Sequence, residues 1–187
     1  MEVQVIAWDI RMIAKIILTV QIILISQTVS ISSTYRLPTP QEVLDELNLV
    51  RTNPKGYVKY LKERLASFVE DFVYIDRVGR RMSCYEGRVA IYECIEVLEN
   101  TEPMGSLQMN ENLCALSLWL AKDQAYHGST GHYASDGSTM TDRVKRSGFI
   151  GMGWGESCSY GNYTARDFIM GLLIDDNVPS RVIEITF

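Results

Sequence analysis

The sequence predicts a helix-rich α+β domain. Three observations carry that reading: helix starts with readable caps, apolar residues recurring at helical spacing behind them, and strand-like runs that are few and late. In chain order, Thr39-Pro40-Gln41-Glu42 sets an N-cap Thr, Pro at the first helical position and Glu three after the cap. Val43, Leu44, Leu47 and Val50 then mark one apolar face. Asn53-Pro54 repeats the start signal for a second helix carrying Tyr57, Tyr60, Leu61, Leu65 and Phe68. Arg77 to Ser83 is basic and aperiodic, and reads as a loop. A third helix fits Gly87 to Glu99, broken by Pro103 and Gly105. Asn110 caps a fourth, with Leu113, Leu116, Leu120 and Gln124 on one stripe up to Gly128. Ser138 opens a short fifth helix closed by Gly148, and Thr164 caps a sixth, Ala165 to Asp175. The strand candidates are Phe149 to Ser159 and the final Val182 to Phe187.

Length and charge bound the function. The 187 residues suffice for one domain plus an appendage. The 23 acidic against 18 basic side chains give a net charge of −5, which argues against a nucleic-acid partner, since that needs a basic face. Cys84, Cys94, Cys114 and Cys158 form no CxxC pair, so a Cys-only zinc ribbon is excluded.

Residues 1–35 pose a separate problem. Behind Lys15 runs IILTVQIILI, followed by Ser and Thr: long enough for a signal-peptide core and short of the ~20 residues that span a bilayer. Glu2 and Asp9 sit awkwardly ahead of it, and initiation at Met12 would give a cleaner leader. A cleaved secretory signal is the expectation. An uncleaved membrane anchor is the alternative and a buried amphipathic helix the remainder. Secretion would permit disulfides, whose pairing four cysteines do not specify.

Polar residues outside the caps gather at Gly131 to Ser138, at Gly153-Trp154-Gly155-Glu156-Ser157, and at Asp175-Asp176. One imidazole with carboxylates from separate elements can hold a borderline cation or act as an acid–base pair. His127, five residues before His132, lacks the i,i+4 spacing of paired ligands and fits the end of its helix, where positive charge is favoured.

At these places the chain resembles the CAP superfamily (the SCP domain of cysteine-rich secretory, antigen 5 and pathogenesis-related proteins), in its shorter microbial and protist branch. The matching stretches run in family order over roughly 140 residues: Glu46-Leu47-Asn48 to Asn53-Pro54 and Tyr57; Leu107, Asn112-Leu113 and Ala121; Gly131-His132, Ser135 to Ser138 and Arg143; Gly148; Gly155-Glu156; and Gly161 through Thr164-Ala165-Arg166-Asp167 to Ile174-Asp175-Asp176 and Val178 to Arg181. The resemblance implies an α-β-α sandwich with helices around a small antiparallel sheet, over residues 36–187. It also implies a cleft of two His and two acids that holds zinc or magnesium in some members. His132 looks like the first cleft histidine and metal ligand, Glu156 the first acid, and Asp175 the second, a shorter residue where many members have Glu. Ser157 stands where Asn is usual.

The tail departs from the pattern. After Pro179-Ser180-Arg181 the family continues Gly-His-Arg, supplying its second cleft histidine, whereas this chain reads Val-Ile-Glu-Ile-Thr-Phe. Codons allowed for Arg181 to Phe187 include AGA GTC ATA GAA ATA ACA TTT. One G restored after the first codon gives AGA GGT CAT AGA AAT AAC ATT, or Arg-Gly-His-Arg-Asn-Asn-Ile. A lost nucleotide is therefore the expectation, and genomic sequence across Arg181 tests it. As written, the chain would lack the family's C-terminal strands and have a marginally stable, aggregation-prone core. His132, Glu156 and Asp175 would be too few donors for tight metal binding.

The functional expectation is a secreted binding module that takes a lipid, sterol or protein ligand. It has no cofactor, zinc and magnesium being the candidate ions, and it meets a membrane only through an uncleaved N-terminus. No Ser near the cleft has the context of a nucleophile elbow. The alternatives are a metal-dependent hydrolase using the His/acid cleft and a truncated inactive product.

Overall fold

The computed structural model describes residues 36–150 and 154–178 in full, and the backbone of 3–8 and 17–22. The architecture is mixed α+β, with six helices among the described residues. The two N-terminal strands, β1 (Val3–Trp8) and β2 (Ile17–Ile22), pair antiparallel. The stretch read as a signal-type core thus contributes backbone to a sheet. The 182–187 strand expected from the sequence, and the divergent tail with it, lie outside the described residues.

The helices begin where their caps predict. In α1 (Pro40–Thr52) Thr39 and Glu42 close a reciprocal capping box. Asn53 Oδ1 caps α2 (Pro54–Ala66) by accepting from the Gly56 amide. The third helix, α3 (Arg88–Asn100), starts at Gly87, and α4 (Glu111–His127) is capped by Asn110. For α5 (Met140–Arg146) the cap is Thr139, one residue later than predicted, because its box partner is Asp142. Thr164 caps α6 (Ala165–Ile174).

One core joins α1, α2, α3 and α6. Val43, Leu47, Val50, Leu61, Ala90 and Cys94 are all buried in it. Of the ten residues in α6, Phe168, Ile169, Met170, Leu172, Leu173 and Ile174 are buried, so it is apolar nearly all round and sits inside rather than on the surface. None of the helices among the described residues is long and apolar enough to cross a membrane.

Contrary to the sequence expectation, Arg77 to Ser83 is not all loop. The strands β3 (Phe68–Glu70), β4 (Val73–Ile75) and β5 (Arg81–Ser83) form a small antiparallel sheet. The β4–β5 turn is tied by Asp76, whose carboxylate accepts from the amides of Val78 and Arg80 and from Arg80 Nε. The side chain that organises this hairpin lies in the turn, so strands of three residues need no long alternation.

The second sheet positions the site. Its order is β6-β2-β1-β7, with β6 (Gln108–Met109) parallel to β2 and β7 (Gly155–Tyr160) antiparallel to β1. The β7 strand overlaps the predicted 149–159 run and extends one residue past it. Helix α4 lies against β1 and β2.

Candidate functional site

The alternation of a strand decides which residues of β7 share a face. Glu156, Cys158 and Tyr160 fall on one, while Ser157 and Ser159 fall on the other and are buried. The first face meets the loop that follows α4. That loop turns through Gly131, whose φ of +94° is a conformation L side chains rarely adopt. Its carbonyl accepts from Gln124 Nε2 at 2.6 Å, and its amide donates to the Tyr160 hydroxyl at 2.7 Å. Gln124 is fully buried on α4, and burial pushes the Tyr160 phenol up to about 12, so it stays a hydroxyl across the physiological range. Downstream, the Ser135 amide and hydroxyl both donate to Asp123 of α4. The loop is therefore clamped to α4 and β7.

Clamping carries His132 onto Glu156. Its Nδ1 lies 3.0 Å from Glu156 Oε1, across 24 residues of sequence, and 3.6 Å from Cys158 Sγ. The hydrogen bonds to Cys158 and Glu156 push His132 up to about 10, against the opposing effect of burial. Its side chain is 56% exposed, whereas that of Glu156 is 5% exposed.

Beneath the pair is Arg143 of α5, 2% exposed, which donates from Nη2 to both Glu156 oxygens at 2.7 and 2.6 Å. Its Nη1 donates to the carbonyls of His132 and Ser138 at 3.1 and 2.9 Å. A single guanidinium thus fixes the acid, the loop carbonyl behind the imidazole and the start of α5. Such a fork suits an arginine and not a lysine. Arg143 also lines a groove of about 360 Å³ between α4 and α5, with Asn112, Ala115, Leu116, Trp119 and Arg146. Trp119 is 42% exposed there.

The chemistry open to this arrangement is narrow. Both Glu156 oxygens are engaged by a buried cation, so the carboxylate is a poor general base. Glu156 and Cys158 face the same ring nitrogen. A nucleophile–base–orienter series needs one partner on each nitrogen of the ring.

Of the residues the sequence singled out, the structure brings His132 and Glu156 together. Asp175 is the left-handed C-cap of α6, with φ 47°, and the donor group whose atoms lie within 4.8 Å of one another contains Cys158 instead. Its neighbour Asp176 has a structural task, accepting from the amides of Tyr85 and Glu86 ahead of α3. His127 ends α4, 3.7 Å from Asp123. Sequence reasoning missed two participants. Cys158 was legible in the i,i+2 spacing from Glu156, and Arg143 was noticed without a role. No disulfide joins the four cysteines.

A larger groove of about 610 Å³ lies between α1 and the start of α6. Of its three acids Glu42 and Glu46 are paired with Arg36 and Arg166 and Asp45 accepts from Gln41, and none of its lining residues belongs to the His132 cluster. Compared with known protein families, curated proteins and solved structures, the chain matches none.

Proposed function

We propose that this chain is a CAP/SCP-type extracellular binding module, secreted by way of its N-terminal segment. In this reading it recognises a lipid, sterol or protein ligand through the region around His132, Glu156 and Arg143, without catalysing a reaction. The helices and sheet would take the α-β-α arrangement of that family.

The observation that carries the reading is the Arg143–Glu156–His132 arrangement. It holds a loop in place and occupies the acid that a base-catalysed reaction would need. The groove beside it supports an apolar ligand. Its 360 Å³ sits at the lower end of the range for small-molecule sites, roughly 300–1,000 Å³, and an indole forms part of its wall.

Titration of the full chain with a fluorescent sterol, and separately with a fluorescent fatty acid, tests this. Saturable energy transfer from tryptophan that falls in Trp119→Phe is the expected result. Turnover of ester or peptide substrates that His132→Ala abolishes would replace the binding reading with the hydrolase one.

A further inference from the structure

Three electron-pair donors converge where the 131–138 loop meets β7. His132 Nδ1, a carboxylate oxygen of Glu156 and Cys158 Sγ all lie within 4.8 Å of one another. Without an ion, Nδ1 can donate its one proton to Glu156 while the Cys158 thiol donates to the Gly131 carbonyl at 3.3 Å. A cation at the point they share would replace those two protons and take all three groups as ligands.

The spacing can be tested against metal geometry. Bonds of about 2.0–2.1 Å to nitrogen and about 2.3 Å to sulfur, at a tetrahedral angle, separate the two donors by about 3.5 Å. The observed Nδ1–Sγ distance is 3.6 Å. Nitrogen and oxygen ligands should be about 3.3 Å apart by the same construction, so the 3.0 Å contact has only a few tenths of an ångström to open.

Arg143 does not use up the acid, because a carboxylate has about four lone-pair positions and the guanidinium takes one on each oxygen. A thiolate and a carboxylate offset the two charges of the ion with the imidazole neutral, leaving the guanidinium of Arg143 as the one surplus charge. Sulfur also selects the ion: it suits zinc and disfavours magnesium, which takes oxygen ligands.

We propose that His132, Glu156 and Cys158 form a three-ligand zinc site whose fourth position faces solvent beside the half-exposed imidazole. The thiol supplies the donor that one histidine and two carboxylates did not, and on binding its proton and the one on His132 Nδ1 both pass to solvent. The site stands on these three side chains alone and is independent of whether the α4–α5 groove takes an apolar ligand.

Metal-stripped full chain, titrated calorimetrically with zinc chloride and followed spectroscopically with cobalt(II), tests it. One equivalent should bind, and the cobalt form should show a thiolate-to-metal charge-transfer band in the near ultraviolet. Cys158→Ser should abolish that band and weaken zinc by about tenfold or more, and His132→Asn should weaken zinc similarly, with Cys84→Ser unchanged. Circular dichroism matching the parent shows that each variant is folded. Absence of stoichiometric zinc binding, or a charge-transfer band that survives Cys158→Ser, overturns the site. Sterol binding is read in a separate titration, so either result can fail without the other.

Discussion

Among the described residues two arginine–carboxylate pairs are buried, and they are built differently. Arg64 of α2 meets Asp167 of α6 at 2.5 Å, each side chain 6% exposed. Each member of that pair has a further partner: Thr164 donates to the Asp167 carboxylate, Asp167 returns an amide to the Thr164 hydroxyl, and the Arg64 guanidinium lies over the Tyr74 ring. Arg143–Glu156 is as well buried but opens, through Glu156 Oε1, onto an imidazole that reaches solvent. The first pair pins α2 to α6 inside an apolar core. The second sits beside a small apolar cluster of Leu120, Ala121 and Ala134, against which Cys158 and Tyr160 also pack. Burial of a charge pair alone does not mark a site; a third polar group leading outward does.

The sharpest break of this comparison is removal of one partner from the Arg64–Asp167 pair. Asp167→Ala should cost about 3–5 kcal/mol in urea denaturation, because Arg64 is left charged in the core. Glu156→Ala should cost less, about 2–3 kcal/mol, because Arg143 keeps the carbonyls of His132 and Ser138 and lies near the open side of the loop. Equal losses would erase the distinction. Thr39→Ala, which touches neither pair, should cost about 1 kcal/mol through the α1 cap and leave zinc titration unchanged.

The smallest effect concerns pH. His132 has its folded value raised from 6.5 to about 10, by Cys158 first and Glu156 second. Its contribution to stability is therefore complete below about pH 6.5 and is lost as pH rises through about 10. The side chain is half-exposed and solvent screens it, so the loss is modest. Thermal melts in metal-free buffer across that window should fall more steeply for the parent than for His132→Asn, with Arg143, Glu156 and Cys158 as the charged or titratable neighbours on the packed elements. Parallel slopes would mean that the imidazole adds nothing to the fold.

The helices were readable because each announces itself within four residues. Thr39, Asn53, Asn110 and Thr164 cap the helices they precede, and the apolar stripes behind them form the core. The β3–β5 sheet was not readable, since three-residue strands carry too little alternation and the β4–β5 turn is tied by a single aspartate. At the site, the pairing of His132 with Glu156 was suggested by the resemblance, since 24 residues separate them in sequence. Arg143 was not given its part because a buried arginine on a seven-residue helix looks, in sequence, like any solvated basic residue. Asp175 has a local task that no spacing rule reveals: the left-handed turn that ends α6 uses that residue as its terminus.

The strand order β6-β2-β1-β7 has a consequence for maturation. The site strand β7 takes its backbone partner from Val3–Trp8, inside the same N-terminal segment that reads as a leader. A protease cutting near residue 35 would excise two of that sheet's four strands, including β1, which pairs edge to edge with Glu156 and Cys158. Whatever becomes of residues 3–8 therefore bears directly on the strand that carries Glu156 and Cys158.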